Sequence, residues 1–151
     1  MLIGVISDTH GLLRPEALAA LQGAQHIIHA GDIGAPEVLA ALAQIAPVTA
    51  VRGNNDKGAW AARIPATAVF EAEGVSVYVL HDLAELDLDP AAAGFSAVIA
   101  GHSHQPSQSQ RDGVLFFNPG SAGPRRFRLP ICVGRLHVDN GTARAELVML
   151  G

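Results

Sequence analysis

The chain has 151 residues, of which 49% are hydrophobic and 16% are charged, and this composition excludes disorder as its default state. A formal net charge of −4 at pH 7 argues against a protein that coats nucleic acid, so nucleic acid is not an expected partner. One cysteine, Cys132, excludes an internal disulfide and a thiolate metal cluster, and its apolar neighbours predict a packed core thiol. The length suits a single domain over residues 1–151.

The sequence also bears on location. No stretch reaches the roughly 18 uninterrupted apolar residues that a membrane span requires. The N-terminus lacks a positively charged region, and Asp8 interrupts its apolar stretch too early for a signal peptide. We therefore expect a cytoplasmic protein with no membrane partner.

The N-terminal third alternates short apolar runs with segments of helical spacing. We predict strands over residues 2–7, 26–30 and 48–51, and helices over 15–22 and 35–46. Pro15 and Pro36 suit the first turns of the two helices. Strands that alternate with helices in this way indicate parallel β-α-β units.

The remaining two thirds consist mostly of apolar runs separated by turn residues. We predict strands over residues 67–71, 75–80, 97–100, 114–117, 131–138 and 143–150, and a helix over the Ala-rich segment 84–93. Gly74 and the Asp139-Asn140-Gly141 segment are typical of hairpin turns, since Asn and Gly tolerate positive φ. Two stacked sheets with helices outside would bury this number of strands.

Polar residues recur at one kind of position, the loop directly after an apolar strand. Five such clusters occur: Asp8-x-His10, Gly31-Asp32, Gly53-Asn54, His81 and Gly101-His102-x-His104. In α/β sheets, loops at the carboxyl ends of the strands converge on one site, so these clusters are expected to meet. The glycines before Asp32, Asn54 and His102 are expected to let the backbone turn sharply there.

Each cluster is weak evidence alone, because a lone aspartate in a loop is more often a turn or cap residue. A lone His81 would likewise more often be a hydrogen-bonded core imidazole. Five clusters in order at strand ends favour a metal site instead. Carboxylate, amide and imidazole ligands suit Mn²⁺, Fe²⁺, Zn²⁺ or Ni²⁺ better than Ca²⁺.

Together the five clusters resemble the signature of the calcineurin-like metallophosphoesterases. The short chain and its Asn118-Pro119-Gly120-Ser121 segment are similar to the small YfcE-like phosphodiesterase branch, whose fold the retromer small subunit shares. The resemblance extends from Ile3 to about Ser121. It implies an α/β fold: a four-layer αββα sandwich of two stacked mixed sheets.

The resemblance also implies a binuclear site for two divalent metal ions, with Mn²⁺ favoured and Fe, Zn or Ni as alternatives. Seven residues form the implied ligand set: Asp8, His10 and His104 for one ion, Asn54, His81 and His102 for the other, and Asp32 as the bridge. Two ions held about 3.5–4 Å apart lower the pKa of a shared water, and the resulting hydroxide attacks phosphorus in line. Asp32 and Asn54 are therefore candidate catalytic residues as well as ligands.

Two positions depart from the family pattern. Many relatives carry a histidine after the metal-binding asparagine, where it protonates the leaving oxygen, but here that residue is Asn55. We keep Asn55 as a candidate catalytic position, although an amide is no general acid and the small branch often lacks this histidine too. Asp82 follows His81 where branch members often read His-Gly-His, so substrate shape does not transfer. Asp56, beside Asn55, is interpreted as a turn or cap residue.

Several other polar residues have two interpretations. His26 and His137 lie in strands and are interpreted as structural, whereas His29 is either structural or a support for the metal ligands. Asn118 and Ser121 orient a ligand or simply form a Pro-Gly turn. The basic run is favoured as a solvated loop over a binding site, and it comprises Arg125, Arg126 and Arg128.

The favoured function is a two-metal phosphodiesterase acting on a small phosphodiester substrate. A phosphomonoesterase with the same metals is the nearest alternative, and a nuclease is disfavoured by the acidic chain. The alternative from another class is a non-catalytic, metal-stabilised protein-binding subunit. The apolar composition permits a homo-oligomer without requiring one.

Overall fold

The computed structural model describes residues 1–150, and its first part contains the predicted β-α-β units. The elements are β1 (Leu2–Ile6), α1 (Pro15–Ala20), β2 (His26–His29), α2 (Pro36–Ala43) and β3 (Val48–Ala50). A proline opens each helix, where its missing N–H has no intrahelical partner to lose. Within residues 1–150, no helix is long and apolar enough to cross a membrane.

The second part is mostly strands. Its elements are α3 (Ala59–Ala62), β4 (Thr67–Ala72), β5 (Val75–Leu80), a 3₁₀ turn (Leu83–Glu85), β6 (Ala97–Ile99), β7 (Ser107–Arg111), β8 (Val114–Asn118), β9 (Cys132–Asp139) and β10 (Thr142–Met149). All nine predicted strands are confirmed to within two residues at each end. Strand β7 and helix α3 were not predicted.

The strands form two five-stranded mixed sheets. The first has the order β10-β9-β1-β2-β3, with β1, β2 and β3 parallel and β9 antiparallel to its neighbours. The second has the order β4-β5-β6-β8-β7, in which β5, β6 and β8 are parallel and the edge strands are antiparallel. The predicted fold of two mixed sheets is confirmed.

The main core lies between the two sheets. Ile3, Val5 and Ile28 of the first sheet pack in one cluster with Val77 and Ile99 of the second, and all five are fully buried. A second cluster joins the outer face of the first sheet to the helices, through residues such as Leu21 and Leu42. Burial of this kind stabilises the strand ends that carry the polar clusters.

The predicted helix over residues 84–93 is wrong. Only the 3₁₀ turn Leu83–Glu85 forms, and a loop covers the outer face of the second sheet instead. Asp89 accepts hydrogen bonds from the backbone N–H groups of Ala91 and Ala92 (3.1 and 3.3 Å), which favours a turn there. Pro90 also lacks the N–H that a helix interior needs. Helix propensity in the Ala-rich segment is overridden by these local contacts.

Both predicted hairpins are confirmed. Glu73 and Gly74 join β4 to β5 with φ of 53° and 76°, and Asn140 and Gly141 join β9 to β10 with φ of 49° and 80°. Two successive residues with positive φ match the twist of the flanking strands.

Candidate metal centre

The loops that follow β1, β2, β3, β5 and β6 meet at one end of the two sheets. Five of the seven predicted ligands have positive φ, between 46° and 72°: Asp8, His10, Asp32, His102 and His104. Left-handed backbone is uncommon for residues other than glycine, although Asp and His adopt it more readily than most, and such conformations concentrate at functional sites. The sharp turns are therefore made largely by the polar residues themselves.

The expected role of the neighbouring glycines is corrected at two of three positions. Gly31 does have positive φ, at 102°. Gly53 and Gly101 do not, and they are needed for close packing instead. A Cβ at Gly53 would collide with the backbone N of Asp32, and one at Gly101 would meet Ser7 Oγ and lie 2.7 Å from Asp8 Oδ2. Each of these glycines lets one ligand loop press against another.

Asp8 is fully buried and held through one of its oxygens. Ser7 Oγ donates to Oδ2 at 2.8 Å, and the His102 backbone N–H donates to the same oxygen at 3.1 Å. Oδ1 has no hydrogen-bond partner among residues 1–150. Burial raises the pKa of Asp8 despite the Ser7 hydrogen bond. A buried carboxylate oxygen without a hydrogen-bond partner is well placed to bind a cation.

Three imidazole nitrogens surround that orphaned oxygen. His104 Nε2 lies 3.5 Å from Asp8 Oδ1, and the Nε2 atoms of His10 and His81 lie 3.9 Å from it. These separations are too long for hydrogen bonds. They fit ligands of a shared ion, because atoms about 2.1 Å from a metal at tetrahedral angles lie roughly 3.4 Å apart.

Asp32 is the second buried carboxylate, and Asn55 holds it. The Asn55 backbone N–H donates to Oδ1 at 2.9 Å, and its side-chain Nδ2 donates to Oδ2 at 3.1 Å. Burial alone would raise the pKa of Asp32, but the neighbouring His81 imidazole and the hydrogen bond from the Asn55 N–H outweigh it and hold that pKa well below its usual range. Asp32 is therefore an anion at neutral pH.

The orientation of His81 is fixed by the backbone. Its Nδ1 lies 2.7 Å from the Ala30 carbonyl, which can only accept, so Nδ1 carries the proton and Nε2 faces the carboxylates. Nε2 lies 3.3 Å from Asp32 Oδ2. Burial would lower the pKa of His81, but the nearby Asp32 carboxylate, the contact with the Ala30 carbonyl and the charge of Asp8 raise it. Such a backbone contact is how metal-binding histidines are commonly oriented.

The ligand atoms fall into two groups that share Asp8. One group is Asp8, His10 and His104, and the other is Asp8, Asp32 and His81, with the atoms of each group within 4.8 Å of one another. Burial, with the positive charge of Arg126, lowers the pKa of His104 to about 4, so its imidazole is neutral at pH 7. The structure thus brings five of the seven predicted ligands together.

The other two predicted ligands lie on the open side of this cluster. Asn54 is exposed and lines a polar cleft with His81. The His102 ring lies edge-on to His81 with centroids 5.1 Å apart, and its Nε2 lies 3.8 Å from Asp82 Oδ2. Metal binding by Asn54 and His102, and bridging by Asp32, remain predictions.

Residues outside the ligand set tie the loops together, and two of them carried no distinctive sequence signal. Ser7 holds Asp8, as described above, and a serine after a strand is unremarkable. Asp56 is buried and accepts three backbone hydrogen bonds, from Ile33, Gly34 and Gly53, at 2.9–3.1 Å. It therefore connects the loop that carries Asp32 to the loop that carries Asn54.

His29 is a buried support of the same loops. Its Nδ1 accepts from the Gly31 backbone N–H at 3.1 Å, so Nε2 carries the proton and donates to Thr9 Oγ1 at 3.0 Å. Burial lowers its pKa to about 3, so it is neutral at physiological pH. His29 thus connects the loops that carry Asp8 and Asp32.

The C-terminal turn supports the site from outside. Asn118 Nδ2 donates to the Gly101 carbonyl at 3.0 Å, and Ser121 Oγ donates to the Asp8 carbonyl at 3.1 Å. Cys132 is buried, its thiol donates to the Pro119 carbonyl at 3.0 Å, and burial raises its pKa to about 11. The predicted core thiol is confirmed.

The remaining histidines make contacts between neighbouring strands. His26 pairs with Thr49 at 2.7 Å and stacks on Phe70, and His137 pairs with Glu146 at 3.0 Å. The basic segment Arg125–Arg128 is exposed, and Phe127 within it is 88% exposed. The charge of Arg126 acts on His104 and contributes to its lowered pKa.

Two cavities adjoin the cluster and share Asp82. The polar cleft is lined by Asn54 and His81 and by the acidic side chains of Glu85 and Asp87. The second cavity, which we call the edge pocket, extends from His102 along the outer face of the second sheet to Arg111. The cluster therefore has space on two sides.

The sequence matches a family model and curated relatives over most of its length. Residues 1–141 match the calcineurin-like phosphoesterase superfamily domain, and the chain belongs to this superfamily. A probable metallophosphoesterase of Methanothermobacter thermautotrophicus is 35% identical over 163 aligned positions, which cover 100% of this chain and 94% of the relative.

Solved structures share the fold. A novel archaeal phosphodiesterase superposes with a TM-score of 0.81 at 23% identity, over 98% of this chain and 100% of its own. The Escherichia coli phosphoesterase YfcE gives 0.72 at 22% identity, and Vps29 of Entamoeba histolytica in complex with Zn²⁺ gives 0.76 at 22%, each over 100% of both chains. The predicted resemblance to the calcineurin-like superfamily is confirmed, and the chain shares its fold with YfcE.

Proposed function

We propose that this phosphoesterase is a two-metal phosphodiesterase. One observation carries the proposal: two three-residue groups of ligand atoms, all buried except the half-buried His10, share Asp8, whose Oδ1 has no hydrogen-bond partner among residues 1–150. Two adjacent ligand groups suit a pair of cations, although the family pattern gives the bridging role to Asp32 and assigns Asp8 to one ion. The donor set of carboxylates and imidazoles fits Mn²⁺, our favoured ion, as well as Fe²⁺, Zn²⁺ or Ni²⁺.

The residues would divide between the ions as the family pattern implies. Asp8, His10 and His104 would hold one ion, and His81 would hold the other with help from Asn54 and His102. Asp32 would contact both, in keeping with its ionised state and its position 3.7 Å from His10 and 3.3 Å from His81. Divalent cations bound there would activate water and neutralise the phosphoryl oxygens.

Asn55 is assigned a positioning role instead of proton transfer. Its amide holds Asp32 by two hydrogen bonds and has no proton to give at ordinary pH. Esters with good leaving groups should therefore be the better substrates, because they need no general acid.

A diester is favoured over a monoester because space adjoins the cluster on two sides. The polar cleft reaches His81, the edge pocket reaches His102, and Asp82 lies between them. A phosphoryl group at the cluster could direct one ester arm into each cavity. A monoester would leave one of them unused.

The alternative, a non-catalytic binding subunit, is supported by the structural likeness to Vps29. Five converging ligands argue for catalysis, since a scaffold alone does not require them. A location in the cytoplasm and assembly into homo-oligomers remain predictions from the sequence.

The test is hydrolysis of bis(4-nitrophenyl) phosphate and 4-nitrophenyl phosphate by metal-stripped protein with Mn²⁺ added back. We expect Mn²⁺-dependent turnover that is faster on the diester and absent in His104→Ala and Asp32→Asn, with the far-UV circular dichroism unchanged. Faster monoester turnover would favour the phosphomonoesterase. If no divalent metal restores turnover although two ions bind, the protein is a binding subunit.

A further inference from the structure

We propose that the edge pocket binds a flat, uncharged ring on one ester arm of the substrate. This inference rests on the proposed function, since it assumes that the phosphoryl group binds at the metal-ligand cluster. The inference adds to that function the chemical class of one of the two groups esterified to phosphorus.

The floor of the edge pocket is apolar. Val98 of β6, Ala100 directly after β6, and Phe116 of β8 line it, and all three are at most 8% exposed. Leu83 lines it from the 3₁₀ turn. Such a surface gains free energy by contact with an apolar ring face.

The side of the pocket is formed by one face of the edge strand β7. Ser107, Ser109 and Arg111 line the pocket, and side chains two residues apart on a strand share a face. Ser109 is paired with Phe116 across the strands, which places its hydroxyl beside the apolar floor. Serine hydroxyls at the rim suit the polar edge of a heterocycle.

A cation bounds the pocket at Arg111. The Arg111 guanidinium lies over the Phe116 ring, 4.5 Å from its centroid. This charge disfavours a cationic substituent at that end of the pocket and favours a π-system, whereas the acidic Asp82 lies beside His102, with 3.8 Å between Oδ2 and Nε2. An aryl group or a nucleobase-like heterocycle therefore fits better than an ammonium headgroup.

Size and position agree with one arm of a diester. The accessible volume is about 230 Å³, below the roughly 300–1,000 Å³ typical of pockets that enclose a whole ligand. Gly101 and His102 line the pocket, and the His102 ring lies 5.1 Å from the ring of His81 in the metal-ligand cluster. The pocket thus lies next to the proposed position of the phosphoryl group.

The test compares the binding of phenylphosphonate and methylphosphonate to the zinc-loaded protein by ligand-observed NMR. Both probes carry the same anion, and neither undergoes ester hydrolysis. We expect wild type to bind phenylphosphonate about tenfold more tightly, the scale of one apolar group in a pocket.

Two tryptophan variants on β7 locate that preference. Ser109→Trp places an indole in the pocket and should remove the preference for phenylphosphonate. Gln110→Trp adds the same bulk to the next residue, which is exposed and belongs to the other face of the strand, and it should keep the preference. The melting temperature of each variant reports whether it folds.

The outcomes separate this inference from the proposed function. Equal binding of the two probes by wild type, or a preference that survives in Ser109→Trp, would overturn the edge pocket but leave the anion site intact. If neither probe binds, the phosphoryl site fails, and both proposals fall. If Ser109→Trp binds phenylphosphonate more weakly than wild type and Gln110→Trp does not, both the edge-pocket proposal and the proposed function are supported.

Discussion

Asn55 clamps the Asp32 carboxylate at both of its oxygens. The backbone N–H reaches Oδ1 at 2.9 Å and the side-chain amide reaches Oδ2 at 3.1 Å. Many relatives carry a proton-donating histidine at this position. In this chain, Asn55 instead holds a candidate metal ligand.

Removing that amide should weaken metal binding. Asn55→Ala keeps the backbone hydrogen bond to Asp32 and loses only the one from Nδ2, and we expect Mn²⁺ affinity to fall about tenfold or more, the usual effect of losing a ligand's support. Isothermal titration calorimetry measures it. Lys57→Ala, at an exposed position two residues on, is the control. Unchanged affinity in Asn55→Ala would contradict the positioning role.

Asp56 should be a stability residue. Asp56→Asn keeps the shape but replaces one oxygen that accepts backbone N–H groups by a donor, and a buried N–H then loses its partner. The expected loss is about 1–3 kcal/mol in the free energy of unfolding. Urea denaturation measures this loss, with the exposed Asp87→Asn as a control that removes the same charge. Equal effects of the two variants would mean that charge, and not the hydrogen bonds, matters.

His29 should make the metal-free fold acid-sensitive. Burial lowers its pKa from 6.5 to about 3 in the folded state. Above pH 6.5 neither state binds the proton, whereas between those pKa values only the unfolded state does, so the free energy of unfolding falls as pH falls through that window. The loss at pH 5 is about 2 kcal/mol. Denaturation of wild type and His29→Gln across this range is the measurement. The same slope in both would exclude His29 as the cause.

Arg126 should help to bind the substrate anion. Its charge acts on His104, and Arg126→Gln removes that charge without touching a metal ligand. We expect KM for the diester to rise about threefold to tenfold with little change in kcat. The KM of the variant should also depend less on salt concentration than that of wild type. Arg128→Gln removes the same charge from the same loop. If both variants act equally, the effect is general electrostatics and not contact by Arg126.

Strand positions and the polar clusters were predictable because buried parallel strands leave long apolar runs. Strand β7 was not, since all five of its residues are polar and exposed and give no apolar signal. The edge pocket depends on β7, so it was hidden as well. The false helix over residues 84–93 shows the opposite error, in which alanine content suggested structure that Pro90 and Asp89 prevent.

The sequence predicted which side chains form the candidate site, but not the hydrogen bonds that hold them in place. Residue types and order indicated which side chains converge, because they follow strand ends. Hydrogen bonds from Asn55 to Asp32 and from Ser7 to Asp8 depend on loop conformations that have no sequence period. The need for glycine at Gly53 and Gly101 arises from neighbours that are distant in sequence.

The left-handed backbone at the ligand residues lowers the stability of the metal-free fold, although the candidate site contains these residues. Each non-glycine residue held there costs about 1 kcal/mol or more, and Asp8, His10, Asp32, His102 and His104 all adopt it. Replacing His10 with glycine relieves that strain, so His10→Gly is expected to unfold at a higher temperature than the metal-free parent while losing a ligand. Selection of variants for heat resistance without metal would therefore enrich proteins that no longer bind it.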